Sequence, residues 1–310
     1  MNLFSEKVLG LIPRYIGFLD RDKSSESYGC FDRYYWLYRQ KDFPNVRFQE
    51  CIYLFALVYS YDFPGNKYYN NNNLLEWAKA GIKYLFNCVS NRDGSFDELY
   101  PNERSFCGTS FTTYLITEAA LLLKIDVPNN AQKTGHWLLR NNNTELINQM
   151  TAYIMALYNL YLITNKSIYL DGAEEKLEKI LNLQNSKGYY PEYGGYDLGY
   201  LSIQLSCLGK YYKKTNDPVI YKSALKAVKF AEQEIDENGL FDYHDSSRQT
   251  QFLYPYGFLI FNSRVINRII NGLKQDIIIN PFWMDDRYSI GMAIDYMETY
   301  LEIKNADDND

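Results

Sequence analysis

The sequence predicts an all-α chain of paired helices, and three observations carry that expectation. Apolar residues recur three and four positions apart along most of the 310 residues, which lays them on one face of a helix, while the period-two alternation of strands is weak throughout. The segment Tyr161-Leu-Ile-Thr-Asn-Lys-Ser-Ile-Tyr-Leu returns as Tyr212-Lys-Lys-Thr-Asn-Asp-Pro-Val-Ile-Tyr, and the turn Gly188-Tyr-Tyr returns as Gly239-Leu-Phe. Both recurrences are 51 residues on (212 minus 161, 239 minus 188), a period at the upper end for repeated structural units. Connections come in two kinds. Thr164-Asn-Lys-Ser and Thr215-Asn-Asp-Pro are short, whereas Gln184 to Tyr200 holds two carboxylates, five tyrosines and four glycines, too aromatic for a solvent loop and too glycine-rich for a helix.

Taken in order, the first helix is expected from Phe4 to Phe18, before a loop around Tyr28-Gly-Cys-Phe-Asp-Arg-Tyr-Tyr-Trp. Phe43-Pro-Asn opens a second pattern through Phe48, Ile52, Phe55 and Tyr59. Asn73 is expected to cap a third, with Leu75, Ala78, Ile82 and Leu85 on one stripe. Asn91 to Arg104 closes that unit, and the next helix carries Phe111, Leu115, Ala119 and Leu122 up to Val127-Pro-Asn-Asn. A shorter helix through Trp137 leads to Asn141-Asn-Asn. Ile147, Met150, Ile154, Leu157 and Tyr161 mark the following helix, and Ala173, Leu177 and Ile180 the one after. Past the tyrosine-rich loop, Leu198, Leu201, Leu205, Leu208 and Tyr212 share a face, as do Ile220, Ala224, Ala227, Phe230 and Ala231. Asn238-Gly-Leu-Phe-Asp-Tyr-His-Asp follows, then less regular helices to about Ile270 and a last one through Ile290, Ile294, Met297 and Leu301. Residues 304–310 are expected to fray. No linker divides the chain, so one domain over 1–310 is expected. Roughly six hairpins with their long loops on one rim predict a ring, an α/α toroid, since an open solenoid needs polar capping units and short, similar turns.

A net charge of -6 and a pI near 5.2 argue against nucleic acid or an anionic membrane as the main partner. Five cysteines, odd in number and without C-x-x-C spacing, indicate neither a complete disulfide framework nor a zinc cluster and fit a reducing compartment. The charged N-terminus lacks a small-residue cleavage site and no apolar run approaches a membrane span, so a cytoplasmic protein is expected. Aromatic residues make up 17%, with 31 tyrosines, and this composition suits helix packing and the stacking of sugar rings alike.

Four loops hold the chemistry: Gly94 to Arg104 with Asp97, Glu98, Glu103 and Arg104; Asn141 to Thr144; Gly188 to Tyr200 with Glu192, Tyr193, Asp197 and Tyr200; and Gly239 to Gly257 with Tyr243, His244, Asp245, Arg248, Tyr254 and Tyr256. A fifth group, Asp32-Arg-Tyr-Tyr-Trp36 with Arg39 and Asp42, can join them. Each has a plainer role open to it: Glu192 and Asp197 can cap the helix opening at Leu198, Asp285-Asp286 can cap the one before Tyr288, and Arg33, Arg104 and Arg248 can pair with nearby aspartates. His136 reads as structural. No phosphate loop, Ser-His-Asp order or metal-ligand spacing is present, so no cofactor or metal is expected.

Gly-x-aromatic turns between helical hairpins resemble the α/α-toroid superfamilies, and Gln184-x-x-x-Gly-x-Tyr is similar to the repeat of squalene and hopene cyclases; the likeness spans residues 45 to 260. Asn238-Gly-Leu-Phe-Asp-Tyr-His244 followed by Tyr256-Gly257, with Asp93-Gly-Ser-Phe, resembles in order the signature of chondroitin AC and hyaluronate-type polysaccharide lyases. The interval from His244 to Tyr256 is longer than that pattern, and no asparagine precedes Asp197-Leu-Gly, which leaves Asn141 to Asn143 as a distant substitute for the carboxylate-neutralising asparagine. The resemblance implies proton abstraction beside a uronate carboxyl, as in a lyase or a C5-epimerase. His244 or Tyr256 would be the base and the other the proton donor, with Arg248 orienting the substrate and Arg248 or Arg104 lowering the tyrosine pKa. Glu192 with Asp197, or Glu98 with Asp197, would instead serve glycoside hydrolysis. Terpenoid cyclisation at Asp285-Asp286 and a non-catalytic glycan-binding role stay open. The substrate-contacting set would be Arg248, Tyr243, Tyr254, Glu98, Arg104, Tyr193, Tyr200 and Trp36, and the partner an oligosaccharide or polysaccharide.

Overall fold

Side-chain caps mark where six of the helices begin. The computed structural model describes residues 3–141 and 145–307 and contains, among them, thirteen α-helices and no strand. Helix α1 is Leu3–Ile16, starting one residue before and ending two residues before the expected bounds. Asp32 caps α2 (Arg33–Trp36), and a 3-10 turn at Val46–Glu50 runs into α3 (Cys51–Ser60). The cap of α4 (Asn72–Tyr84) is Asn71 rather than Asn73: its side chain accepts the Asn73 amide, so the helix starts one residue before that position. Ser105 caps α5 (Phe106–Leu123), which stops short of Val127 because Lys124 turns left-handed at φ 54°. Then come α6 (Ala131–Arg140), α7 (Ile147–Thr164), α8 (Ser167–Asn182), α9 (Leu198–Thr215) under Asp197, and α10 (Pro218–Glu234) under Asp217 with proline at its first position. The chain closes with α11 (Tyr256–Ile260), α12 (Val265–Gln275) and α13 (Asp286–Asp307). Asp285 accepts the amides of Arg287 and Tyr288, which makes it the cap of α13. Helix α13 runs through residues 304–307, part of the tail expected to fray, and residues 308–310 lie outside the described residues. Asn142 and Asn143 of the asparagine run also lie outside them, while Asn141 donates to the Trp137 carbonyl at 2.7 Å and closes α6.

Where one domain was expected, contacts group the described residues into two compact units: 8–141 with 156–173, and 3–7 with 145–155 and 174–307, so that α1, α7 and α8 are each divided between them. In the first unit α3 packs on α4 and α5, and α5 on α6; in the second α9 packs on α10 and α11, and α11 on α12 and α13. Each unit has two layers. Every residue of α3 from Cys51 to Val58 is buried, whereas α4 buries one stripe of Leu74, Ala78, Gly81, Ile82 and Tyr84; α9 and α10 differ in the same way. Burial of side chains such as Phe55, Leu54 and Ile52 stabilises by about 1.5–3 kcal/mol each. Helix α5 is long and apolar enough to cross a membrane, which the sequence reading overlooked, but 67% of it is buried inside the protein. It carries buried polar groups with partners: Thr112 donates to Glu50 and Thr117 to the Thr113 carbonyl.

One turn recurs four times. Gly94 donates to the Asn91 carbonyl while the Asn91 amide donates to the carbonyl of Ser95; the same exchange joins Gly188 with Asn185, Gly239 with Asp236, and, across a longer loop, Gly29 with Asp20. All four glycines have positive φ. Each turn rests on the backbone of a one-sided helix: Gly29 on α4 at Ala80, Gly94 on α6 at Lys133, Gly188 on α10 at Lys226 and Gly239 on α12 at Arg268. A Cβ on Gly188 would lie 2.4 Å from the Lys226 carbonyl oxygen, so only glycine fits. Gln184 fastens its turn by donating to the carbonyls of Gly188 and Ser223, and Gln49 does the same for Gly29 and Gly81. Asn165 and Asn216, equivalent in the 51-residue repeat, both turn left-handed at φ 55° and 54°.

Candidate functional site

In the second unit, the chain after Gly188 makes a two-residue turn. Glu192 and Gly195 exchange backbone hydrogen bonds of 2.8 and 3.1 Å around Tyr193 (φ 50°) and Gly194 (φ 82°), the geometry of a type I′ turn. That conformation suits asparagine or glycine; a tyrosine in it costs about 1–2 kcal/mol. The Tyr193 ring nevertheless sits at the apex, 45% exposed, with the Arg248 guanidinium 4.3 Å above it. From there aromatic rings continue in an arc: Tyr193 to Tyr200 at 6.3 Å, Tyr200 to Phe252 at 6.2 Å, and Phe252 to Tyr254 at 5.8 Å. The Tyr254 hydroxyl reaches α13, where a Cβ on Gly291 would come within 2.9 Å of it. Nearby Tyr288, half exposed, carries Arg287 over its ring at 4.1 Å. Burial pushes the Tyr200 phenol up to about 12, against the pull of Arg248, so it stays protonated at neutral pH.

Two carboxyls support this arc from below. Asp197 caps α9 by accepting the Tyr200 amide at 3.1 Å, and it also accepts the Arg248 amide at 3.1 Å, the Thr250 amide at 3.3 Å and the hydroxyls of Ser246 and Thr250. By holding the backbone of Arg248, it places that side chain over Tyr193. Glu192 is fully buried and accepts the Asn148 amide at 3.1 Å, the Asn148 side chain at 2.8 Å and Gln204 Nε2 at 2.8 Å. Burial pushes its pKa up to about 7 against these hydrogen bonds, with the Asp197 charge adding to the rise.

The other expected residues stand elsewhere. His244 is in solvent, its Nδ1 3.0 Å from Asp242 and its ring stacked on Tyr243 at 4.3 Å. Tyr256 opens α11 and is buried 5.1 Å from the Lys210 ammonium, its amide donating to Asp295. Lys210 lies 2.6 Å from Glu298 and 3.6 Å from Asp295, and these two carboxylates hold its pKa above the usual value although burial opposes them; burial raises Asp295. In the first unit, Glu98 is buried and accepts the hydroxyl of the α5 cap Ser105 at 3.1 Å; Arg104 is exposed and paired with Asp93 at 3.2 Å. Trp36 donates to the Phe18 carbonyl and borders an open cavity of about 500 Å³ with Asp20, Arg21 and Trp77. His136 lies against Tyr169 at 5.8 Å.

Thus Tyr193, Tyr200, Tyr254, Arg248, Glu192 and Asp197 come together. Asn148, Gln204, Lys210, Asp295 and Phe252 were missed; Phe252 alone had a signal, lying between Arg248 and Tyr254 in a loop already marked. Among the described residues no three His, Cys, Asp or Glu side chains gather as a metal ion requires. No protein-family model matches the chain, and no curated protein matches it either.

Proposed function

We propose that this chain is a carbohydrate-active protein that lays an acidic glycan along the Tyr193–Tyr200–Phe252–Tyr254 arc, with Arg248 receiving the carboxylate of the sugar. The observation that carries the reading is Tyr193. A residue held in an unfavourable conformation at an exposed apex, under a cation, supports a binding role, because neither the turn nor the core needs a tyrosine there. Tyrosine faces stack on the apolar faces of sugar rings, and a guanidinium offers a carboxylate two parallel hydrogen bonds. The same proposal includes the ring: two-layered units and four repeated glycine turns support an α/α toroid.

The chemistry proposed is proton transfer of the lyase or epimerase kind. Glu192, with a pKa near 7, takes the proton next to the sugar carboxyl, and the Tyr200 phenol can donate one to the oxygen that leaves as its bond to carbon breaks. Glu192 is reached only when the Tyr193 turn moves aside, since the carboxyl is fully buried at rest. His244, exposed and engaged with Asp242, has no part in this scheme. Incubation with uronic-acid glycans and with neutral oligosaccharides tests it. A lyase generates ultraviolet-absorbing unsaturated uronates, an epimerase exchanges the C5 proton with solvent deuterium, and a hydrolase yields reducing ends alone. Binding that survives Arg248→Ala and Tyr193→Ala unchanged sinks the arc; binding without any of the three products leaves a non-catalytic glycan-binding protein.

A further inference from the structure

We propose that the second unit has a separate site for one neutral sugar ring, in the cavity between the Gly239 turn and the segment after α12. The cavity measures about 240 Å³, and its lining includes Leu240, Phe241, Tyr243, Gln251, Ile277 and Trp283. At roughly 30 Å³ per liquid water this is room for about eight waters, below the usual range for drug-sized ligands, so it admits a single ring rather than a chain. None of the lining residues is charged. A charged ligand would give up its hydration without a counter-charge, which selects a neutral one.

The walls specify the ring further. Trp283 is 49% exposed, Leu240 43% and Ile277 42%, so the site offers an indole face and aliphatic surface that the protein itself leaves open. Tyr243, Gln251 and Trp283 bring a phenol, an amide and an indole N–H to the lining of the same cavity. An unsubstituted aromatic ring would fill the volume but offer those three groups no hydrogen bond. A pyranose meets both demands, with an apolar face for the indole and hydroxyls around its edge for the amide, phenol and indole N–H. The site is distinct from the arc, and its ligand is uncharged where the arc calls for an anion.

The methyl glycosides of glucose, galactose, xylose and N-acetylglucosamine are the probes, read by tryptophan emission and by saturation-transfer NMR on the intact chain. At least one should bind saturably and shift the emission, and Trp283→Ala and Gln251→Ala should each weaken it by about tenfold or more, as truncation of a stacking or hydrogen-bonding anchor does. Melting curves of the variants confirm folding. If Trp283→Ala fails to fold, Trp283→Phe keeps the plate and removes the N–H, and Gln251→Ala stands as the second reading. Four probes without saturable binding, or an affinity indifferent to Gln251→Ala and to the folded Trp283 variant, overturns the proposal. Anionic glycan binding is scored separately through its loss in Arg248→Ala, so failure of the arc and failure of this cavity are seen apart.

Discussion

At the scale of single residues, Tyr193 sets stability against the proposed glycan binding. Tyr193→Asn should raise stability by about 1 kcal/mol, because asparagine tolerates the left-handed turn, while weakening glycan binding. A variant that melts no higher than the parent, or binds as tightly, contradicts this. Glu192 gives a pH signature. Its folded pKa of about 7 lies above the unfolded value near 4.5, so between those pH values the folded state holds a proton that the unfolded state has lost, and stability falls as pH rises through the window. The whole effect is on the order of 3 kcal/mol. Urea unfolding at pH 5 and pH 8 should show a smaller difference for Glu192→Gln; equal differences would show that the carboxyl titrates normally. Asp197→Ala should cost roughly 2–4 kcal/mol, since it removes a helix cap and leaves buried donors without an acceptor. Asp197 was legible as a cap from Asp-Leu at the head of an apolar stripe. Asn148 and Gln204 were not legible, because what makes them matter is a carboxyl 44 and 12 residues away in sequence.

At the scale of elements, the glycine turn is the unit of construction. Gly188→Ala should destabilise by about 3 kcal/mol or more, since its Cβ meets backbone that cannot move aside, while Gly194→Ala, with nothing within 4 Å, should cost only the left-handed strain of about 1–2 kcal/mol. Urea titration of the pair checks this, and equal losses would mean that close approach to α10 is unimportant. The sequence showed the Gly188 and Gly239 turns because nothing is inserted between them. Gly29 escaped notice: it stands nine positions after Asp20, where each of the other glycines stands three positions after its partner, so the motif keeps its hydrogen bonds and loses its spacing. Helix existence was readable from apolar periodicity, but ends were set by local competition, as where Asn71 took the cap from Asn73.

For the whole molecule, helix content and layering follow from composition and pattern, whereas the grouping into two units does not, because it depends on contacts far apart in sequence. Helices α1, α7 and α8 each belong partly to both units, so neither unit can unfold without breaking a helix of the other. Denaturation should therefore be a single transition, the same by circular dichroism and by tryptophan emission. Two separated transitions would show independent folding. Small-angle scattering checks the toroid, which a rod-like profile would exclude.

The buried group of Lys210, Asp295 and Glu298 also constrains how this sequence can drift. Losing Lys210 leaves two carboxylates without their cation in the core, at a typical cost of about 3–5 kcal/mol, whereas exchanging the set together for apolar residues of similar volume can be neutral. Lys210 can therefore be lost only together with both carboxylates, whereas losing either carboxylate alone leaves a neutral pair. Descendants of this chain that have lost Lys210 should have lost Asp295 and Glu298 with it.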